Sequence, residues 1–272
     1  MTRSRVDLAE IRRLETLGRA SWPSLEVAHV GGWSVGMSGR YTRRANCVAA
    51  ETEVATSSAD LSIDQRIEAI ERLCRARSMA AVFKLTDAAR PTDLDSRLAR
   101  RGYGTDGETL TSTLDVDAVL VESAATSAPR GTMLEVAEAR APEGWFEASM
   151  TLSRVPGVCG ADYAALLERC RSTQSAVLFG QAERAGEIVC VAMASVIGEI
   201  VSFVQVATAE SARGDRLADS VIRQLLFAAR ERGAKVGLLS VEAENLSARH
   251  LYERLGFEER YRYGYREREP AV

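Results

Sequence analysis

The stretch VEAENLSARHLYERLGF, Val241 to Phe257, runs an apolar strand into Asn245, then a short helix carrying Tyr252, then a closing Leu-Gly-Phe. A tyrosine on an amphipathic helix is ordinarily a core residue whose hydroxyl reaches the surface. Whether Tyr252 is more than that depends on what lies upstream.

Immediately upstream, KVGLLSVEA reads as a strand. Before it, LADSVIRQLLFAARERG reads as a strong helix whose apolar face is Leu217, Val221, Leu225 and Ala228/Ala229, stopped by Gly233. EIVCVAMASVI, Gly198-Glu199 and IVSFVQVAT read as a hairpin with glycine at the first turn position. Between the strand end VQVAT and the helix starting near Leu217, the loop AESARGDR feeds a helix N-terminus, where free N–H groups and the dipole favour an anion. Taken alone, that loop is equally a plain strand–helix connection. Further upstream, TMLEVAEA and SAVLFGQAE are strand-like, while GWFEASMTLSRV and ADYAALLERCR are helical. Downstream, RYRYGYRE is a polar-aromatic strand; charge keeping an exposed edge soluble is its simplest account.

A composition shift at AVLVESAATSAPRGT, Ala118 to Thr132, marks a linker. The expected organisation is therefore a domain over 1–118, a linker over 119–131 and a domain over 132–272. In the first half, residues 5–20 carry apolar positions at helical spacing, ended by Trp22-Pro23. GGWSVGMSGRYTRRANCV alternates Trp33, Val35 and Met37 around Ser38-Gly39-Arg40, which reads as a hairpin. Residues 62–78 form a second amphipathic helix, AAVFKLT a short buried strand, and LDSRLARRGYG a helix ending at Gly102. The class is mixed α/β, an α+β arrangement with a mixed sheet.

Composition narrows the function. The chain has 272 residues, 46% hydrophobic and 27% charged, enough for two domains of usual size. A net charge of −3 gives no basic footprint for nucleic acid. No apolar run approaches a membrane span and the N-terminus lacks a signal-peptide core, which predicts a cytoplasmic protein with no membrane partner. Five cysteines in no Cys-x-x-Cys pair indicate neither a disulfide framework nor a zinc site, and no metal is expected. Two histidines, His29 and His250, leave little for a histidine-based nucleophile system.

In the order loop, strand, helix, the sequence resembles the GNAT superfamily of N-acetyltransferases. That family's first signature is a strand followed by Q/R-x-x-G-x-G/A opening a helix. VATAESARGDRLA resembles it, with Arg213 leading, Gly214 next and Ala218 at the end. The second signature, N-x-x-A-x-x-L-Y-x-x-x-G-F, is matched throughout by Asn245, Ala248, Leu251, Tyr252, Gly256 and Phe257. The resemblance covers roughly residues 132–272. LDSRLARRGYGTDGETLTSTL resembles the family's closing helix, Gly-aromatic pair and last strand, so the first half looks like a degenerate tandem copy without a coenzyme loop. One departure stands out: the glycine at the fourth place of the first signature is Arg216. A backbone N–H survives there, but a side chain crowds the approach, or turns outward to pair with a phosphate.

What the resemblance implies is an acetyl-CoA-dependent N-acetyltransferase in which an amine attacks the thioester directly. The backbone of Val206 and Thr208 would bond the pantetheine arm. Arg213, Gly214, Arg216 and Ala218 would hold the pyrophosphate, Asn245 would bond the pantetheine or orient nearby backbone, and Tyr252 would protonate the leaving thiolate. The family's glutamate base position falls on Ser202, which cannot serve alone. Glu199, Glu242 and Glu244 read as surface carboxylates and His250 points away from Tyr252 on the helix, so no base is assigned. The acceptor is a small-molecule or peptide amine, and a homodimer is compatible with the sequence. TRRAN, Thr42 to Asn46, is expected near the acceptor cleft. The alternative is an inactive acyl-CoA-binding or protein-interaction module that kept the fold while Arg216 eroded the loop.

Overall fold

A computed structural model describes residues 7–39, 42–51, 61–122, 131–153, 160–174 and 176–269. In the first half, α1 (Leu8–Ser21), β1 (Glu26–Val30), β2 (Trp33–Met37), β3 (Val48–Ala49), α2 (Ile63–Ala76), β4 (Ala81–Leu85), α3 (Leu94–Arg100) and β5 (Gly104–Asp115) follow in order. After α4 (Val116–Glu122) come β6 (Met133–Glu138), α5 (Trp145–Ser153), α6 (Gly160–Thr173), β7 (Ala176–Arg184), β8 (Glu187–Ile197) and β9 (Ile200–Thr208). The chain continues through α7 (Leu217–Arg230), β10 (Val236–Glu242), α8 (Leu246–Arg254) and β11 (Glu258–Arg268). Each half thus repeats hairpin, helix, parallel strand, helix, strand, the tandem pattern the sequence suggested.

The eleven strands of the described residues join one mixed sheet, ordered β1-β2-β3-β4-β11-β5-β10-β9-β8-β7-β6. The closing strands of the two halves are exchanged. β11 lies between β4 and β5, and β5 lies between β11 and β10, all antiparallel. The boundary drawn at 118–132 therefore separates the sequence but not the sheet. Helix α4 runs into the expected linker, over residues 119–122, and residues 123–130 of that linker lie outside the described residues.

Helix α1 also crosses between the halves. Its last carbonyls, orphaned as at any helix end, accept from the second half: Gln174 Nε2 donates to Ala20 O (3.1 Å) and Ser21 O (2.8 Å), and Ser195 Oγ donates to Ser21 O (3.0 Å). Its inner face buries Ile11 and Leu14 against Tyr261, Tyr263, Tyr265 and Leu238. On the opposite face of the sheet, α7 packs Val221 and Leu225 on β7 and β8. Gly180 of β7 permits this approach, since a Cβ there would meet Val221 Cγ1 at 2.7 Å.

The hairpin in the first half differs from expectation. Its turn is Gly31-Gly32, both at positive φ (54° and 87°), joining β1 to β2. β1 is mostly exposed, so EVAHV offers no clear buried face to betray it. The Ser38-Gly39-Arg40 segment instead belongs to the longer link from β2 to β3; Arg40 lies outside the described residues.

Candidate active site

β9 and β10 pair in parallel only at Val236↔Ile200, Gly237↔Val201 and Leu238↔Ser202. Beyond Ser202 they part, each held by its other neighbour, β8 or β5. A register shift between Met193 and Ala194 on β8 places an extra residue, Val204, in β9, and such a bulge bends a strand away from its partner. Which backbone groups face the gap follows from alternation. Ala209 N–H donates to Val189 O on β8 (2.8 Å), so Ala207 also faces β8, and Val206 and Thr208 turn their N–H and C=O toward the gap. The Thr208 hydroxyl turns the other way, to Cys190 Sγ (3.3 Å).

The gap opens into a cleft of about 610 Å³. Val206, Thr208, Arg213, Gly214, Arg216, Ala218, Asn245 and Tyr252 all line it, so the residues singled out in the sequence converge. Gln205 and Ser153, hydrogen-bonded to each other, add a wall that no sequence signal marked; His250 lines the rim, exposed.

The loop entering α7 is shaped for an anion. Gly214 has φ 87°, and Arg216, at the N-cap, sits in the left-handed region at φ 57°. The glycine conformation is thus kept with an arginine in it, at a steric cost of roughly 1–2 kcal/mol. Arg216 supplies no side-chain cap. Ser220 N–H is the first to reach back, to Arg216 O (3.1 Å), leaving the N–H groups of Leu217, Ala218 and Asp219 without intrahelical acceptors. Of the acids at this helix start, Asp215 is held by Arg184 at 2.6 Å and Asp219 by Arg223 at 2.8 Å, and Arg213 is exposed beside Glu210 at 3.8 Å.

Asn245 caps α8, its Oδ1 accepting from Ala248 N–H (3.1 Å). This fixes the helix that carries Tyr252. The Tyr252 ring packs edge-on against Phe257, centroids 5.7 Å apart. Burial pushes its hydroxyl up to about 12, opposed by the positive charge of Arg44. The phenol is therefore a proton holder at neutral pH, never a base.

Ser202 is buried beneath the point of divergence. Of the acidic candidates, Glu199 pairs with Lys235, Glu242 lies 3.5 Å from Arg43, and both are exposed, as is Glu244. Burial raises the thiols of Cys47 and Cys190 to about 11, so neither is a thiolate near neutrality. Among the described residues no group of three or more His, Cys, Asp or Glu side chains converges as a metal site.

In the first half the corresponding crossing is closed. β3 has two residues, and Arg90 N–H donates to Ala50 O at 2.7 Å, tying its continuation to the segment after β4. A larger concavity of about 800 Å³ lies beside α3, but Asp87, Asp95, Asp106, Glu108 and Glu244 line it against one cation, Arg262. It is unsuited to a phosphate.

Known proteins share this architecture. The chain is 25% identical over 249 residues to the uncharacterized N-acetyltransferase YobR of Bacillus subtilis (strain 168), covering 91% of this chain and 94% of that one. A GCN5-related N-acetyltransferase from Kribbella flavida superposes with a TM-score of 0.70 at 17% identity, over 99% of this chain and 98% of that one. A tandem GNAT protein from the clavulanic acid biosynthesis pathway gives 0.66 at 13% identity, over 95% and 88%. The family model described as "Probable histone acetyltransferase Rv0428c C-terminal" matches residues 8–266, so the chain belongs to that family and is an N-acetyltransferase of the GNAT superfamily.

Proposed function

We propose that the second half binds acetyl-CoA in the β9/β10 cleft and transfers its acetyl group directly to an amine of a small molecule or peptide. The observation that carries this reading is the parting of β9 from β10, which among the described residues leaves the polar backbone of Val206 and Thr208 unpaired between the uncapped start of α7 and Tyr252. Unpaired backbone groups in a partly buried gap need a partner, and an extended amide chain supplies one.

Acetyl-CoA would bring the acetyl group as a thioester open to attack by an amine. Toward it, the backbone of Val206 and Thr208 binds the pantetheine arm as an added strand would be bound. The N–H groups at the start of α7, with Gly214, Ala218 and the exposed Arg213 and Arg216, hold the pyrophosphate. Asn245 acts through the helix: its Oδ1 is spent on the cap, which leaves its Nδ2 for the arm. Tyr252 holds a proton at its hydroxyl for the departing sulfur. Donation from a phenol near 12 to a thiol of ordinary pKa ~8.5 is uphill, so the hydroxyl works chiefly as a hydrogen-bond donor to the developing thiolate. The acceptor's proton leaves through water, since no base stands at Ser202.

Calorimetric titration with acetyl-CoA, followed by thiol release across a panel of amines, tests the reading. Saturable binding and amine-dependent thiol release are expected. Binding without release for any amine would instead support the non-catalytic module, and no binding would overturn the site itself.

A further inference from the structure

Arg43 and Arg44 stand side by side in the 3-10 turn Arg43–Ala45 of the first half, in contrary environments. Arg43 is engaged: it bonds Asp106, lies 3.5 Å from Glu242 and stacks over the Tyr265 ring at 5.0 Å. Asn46 is engaged too, accepting from Ser38 N–H (2.6 Å) and donating to Thr42 O (2.9 Å), so it shapes the turn. Arg44 runs inward. It lines a small cavity of about 20 Å³ with Ser202 of β9 and Leu239 and Ser240 of β10, beneath the place where those strands part. Its charge is felt by Tyr252, which lines the coenzyme cleft.

Among the described residues, the Arg44 guanidinium has no hydrogen-bond or ion-pair partner. Glu15, the carboxylate that shares its cavity, is already committed, accepting from Lys84 Nζ (2.6 Å) and Tyr261 (2.7 Å). A guanidinium presents five donors in a planar fork, and no Arg44 nitrogen is both buried and unpartnered, so the half-buried fork keeps an open side that a ligand can meet in place of water. That cavity has room for about one water molecule, so a larger partner must meet the part of the group still open to solvent.

We propose that Arg44 binds a carboxylate of the acceptor, making the acceptor an amine that also carries a carboxylate, of the amino-acid class. This rests on the N-acetyltransferase reading of the cleft. A carboxylate matches the fork in two parallel hydrogen bonds. The same cation disfavours the ammonium form of a neighbouring amine, bringing it nearer the neutral form that attacks. The first half would thereby supply acceptor recognition and the second half the coenzyme.

The test uses the full chain saturated with CoA and measures binding of the twenty common amino acids, each beside its carboxamide, by calorimetry. Thiol release from acetyl-CoA is followed with the same pairs and with a lysine-rich peptide blocked at both ends as a carboxylate-free amine. At least one amino acid is expected to bind and its carboxamide to bind far more weakly. Arg44→Gln should weaken the amino acid roughly 10- to 100-fold, the range of a charged hydrogen bond, and leave the carboxamide and acetyl-CoA unaffected; Arg44→Lys should keep part of the preference. Equal handling of acid and amide, preference for the blocked peptide, equal loss for both ligands in Arg44→Gln, or no amino acid bound would each overturn the proposal. The wild-type comparison decides the matter even if Arg44→Gln does not fold. Selective binding without thiol release would sustain the carboxylate site while defeating the catalytic reading.

Discussion

Replacing Tyr252 with phenylalanine removes one oxygen from the cleft and little else. The ring stays packed on Phe257, and no described group donates to or accepts from the hydroxyl in the folded chain, so no buried partner is orphaned. Stability should change by less than about 0.5 kcal/mol, the ordinary scatter of a substitution that breaks no named interaction. Acetyl-CoA affinity should also hold, because the pantetheine and pyrophosphate contacts come from β9 and α7. Turnover should fall roughly ten- to ten-thousand-fold, spanning the usual general-acid contribution of ~10²–10⁴ and partial replacement by water. The upper end is restrained by the mismatch between a phenol near 12 and a thiol near 8.5, about 3.5 units or ~5 kcal/mol against full proton transfer. The raised value also fixes the pH behaviour: the hydroxyl stays protonated until about 12, so wild-type kcat should show no alkaline fall between pH 8 and 10 arising from Tyr252. The assay is thiol release under acetyl-CoA saturation, with melting temperature and acetyl-CoA affinity measured on the same protein. Unchanged turnover in a well-folded Tyr252→Phe chain would refute the reasoning and return the tyrosine to the core.

Arg216→Gly relieves a left-handed arginine and should stabilise the fold by about 1 kcal/mol, a rise of roughly 2–4 °C in Tm, while weakening acetyl-CoA binding and flattening its salt dependence; a lower Tm would contradict the strain argument. Lys84→Ala leaves Glu15 buried without its ammonium and should cost about 3–5 kcal/mol in urea unfolding. In the wild type, burial pushes Glu15 up, but Lys84 and Tyr261 more than reverse this and hold it below the ordinary carboxylate range. Its contribution is therefore present above an unfolded pKa of ~4.3 and should drain away as pH falls through the lower folded value, a trend that Glu15→Gln should abolish. A chain of residues 130–272 lacks β5, which lies against both β10 and β11, and should fail to give a cooperative melt; a sharp transition with intact acetyl-CoA binding would show that the second half is self-sufficient.

The second half was largely legible because its signals are local. Periodicity gave α7, Gly198 the β8–β9 turn, and the spacing from Asn245 to Phe257 the helix that carries Tyr252. The candidate residues that lie close together in the chain fall on one cleft for the same reason. What escaped was whatever depends on distant pairing. Nothing near Val204 announces a bulge, Asp215 shows no sign of Arg184 thirty-one residues away, and Asn245 reads as a ligand contact until its cap is seen. TRRAN was expected to lie exposed beside a hairpin, whereas Arg43, Arg44 and Asn46 are all half-buried, and that Arg43 is the arginine paired is decided by Asp106 and Glu242, remote in sequence. The strand exchange leaves no local mark, since β5 and β11 would show the same alternation in either order.

That exchange sets the timing of assembly as the chain is made. β4 and β5 are complete once residue 115 has been added, yet the strand that fills the space between them ends about 150 residues later, at Arg268. At ribosomal rates of roughly 5–20 residues per second, β4 and β5 wait about 8–30 s with edges unfilled. Open edges invite pairing with other chains. During synthesis the first half therefore carries open strand edges, and β11 is the bolt that locks both halves.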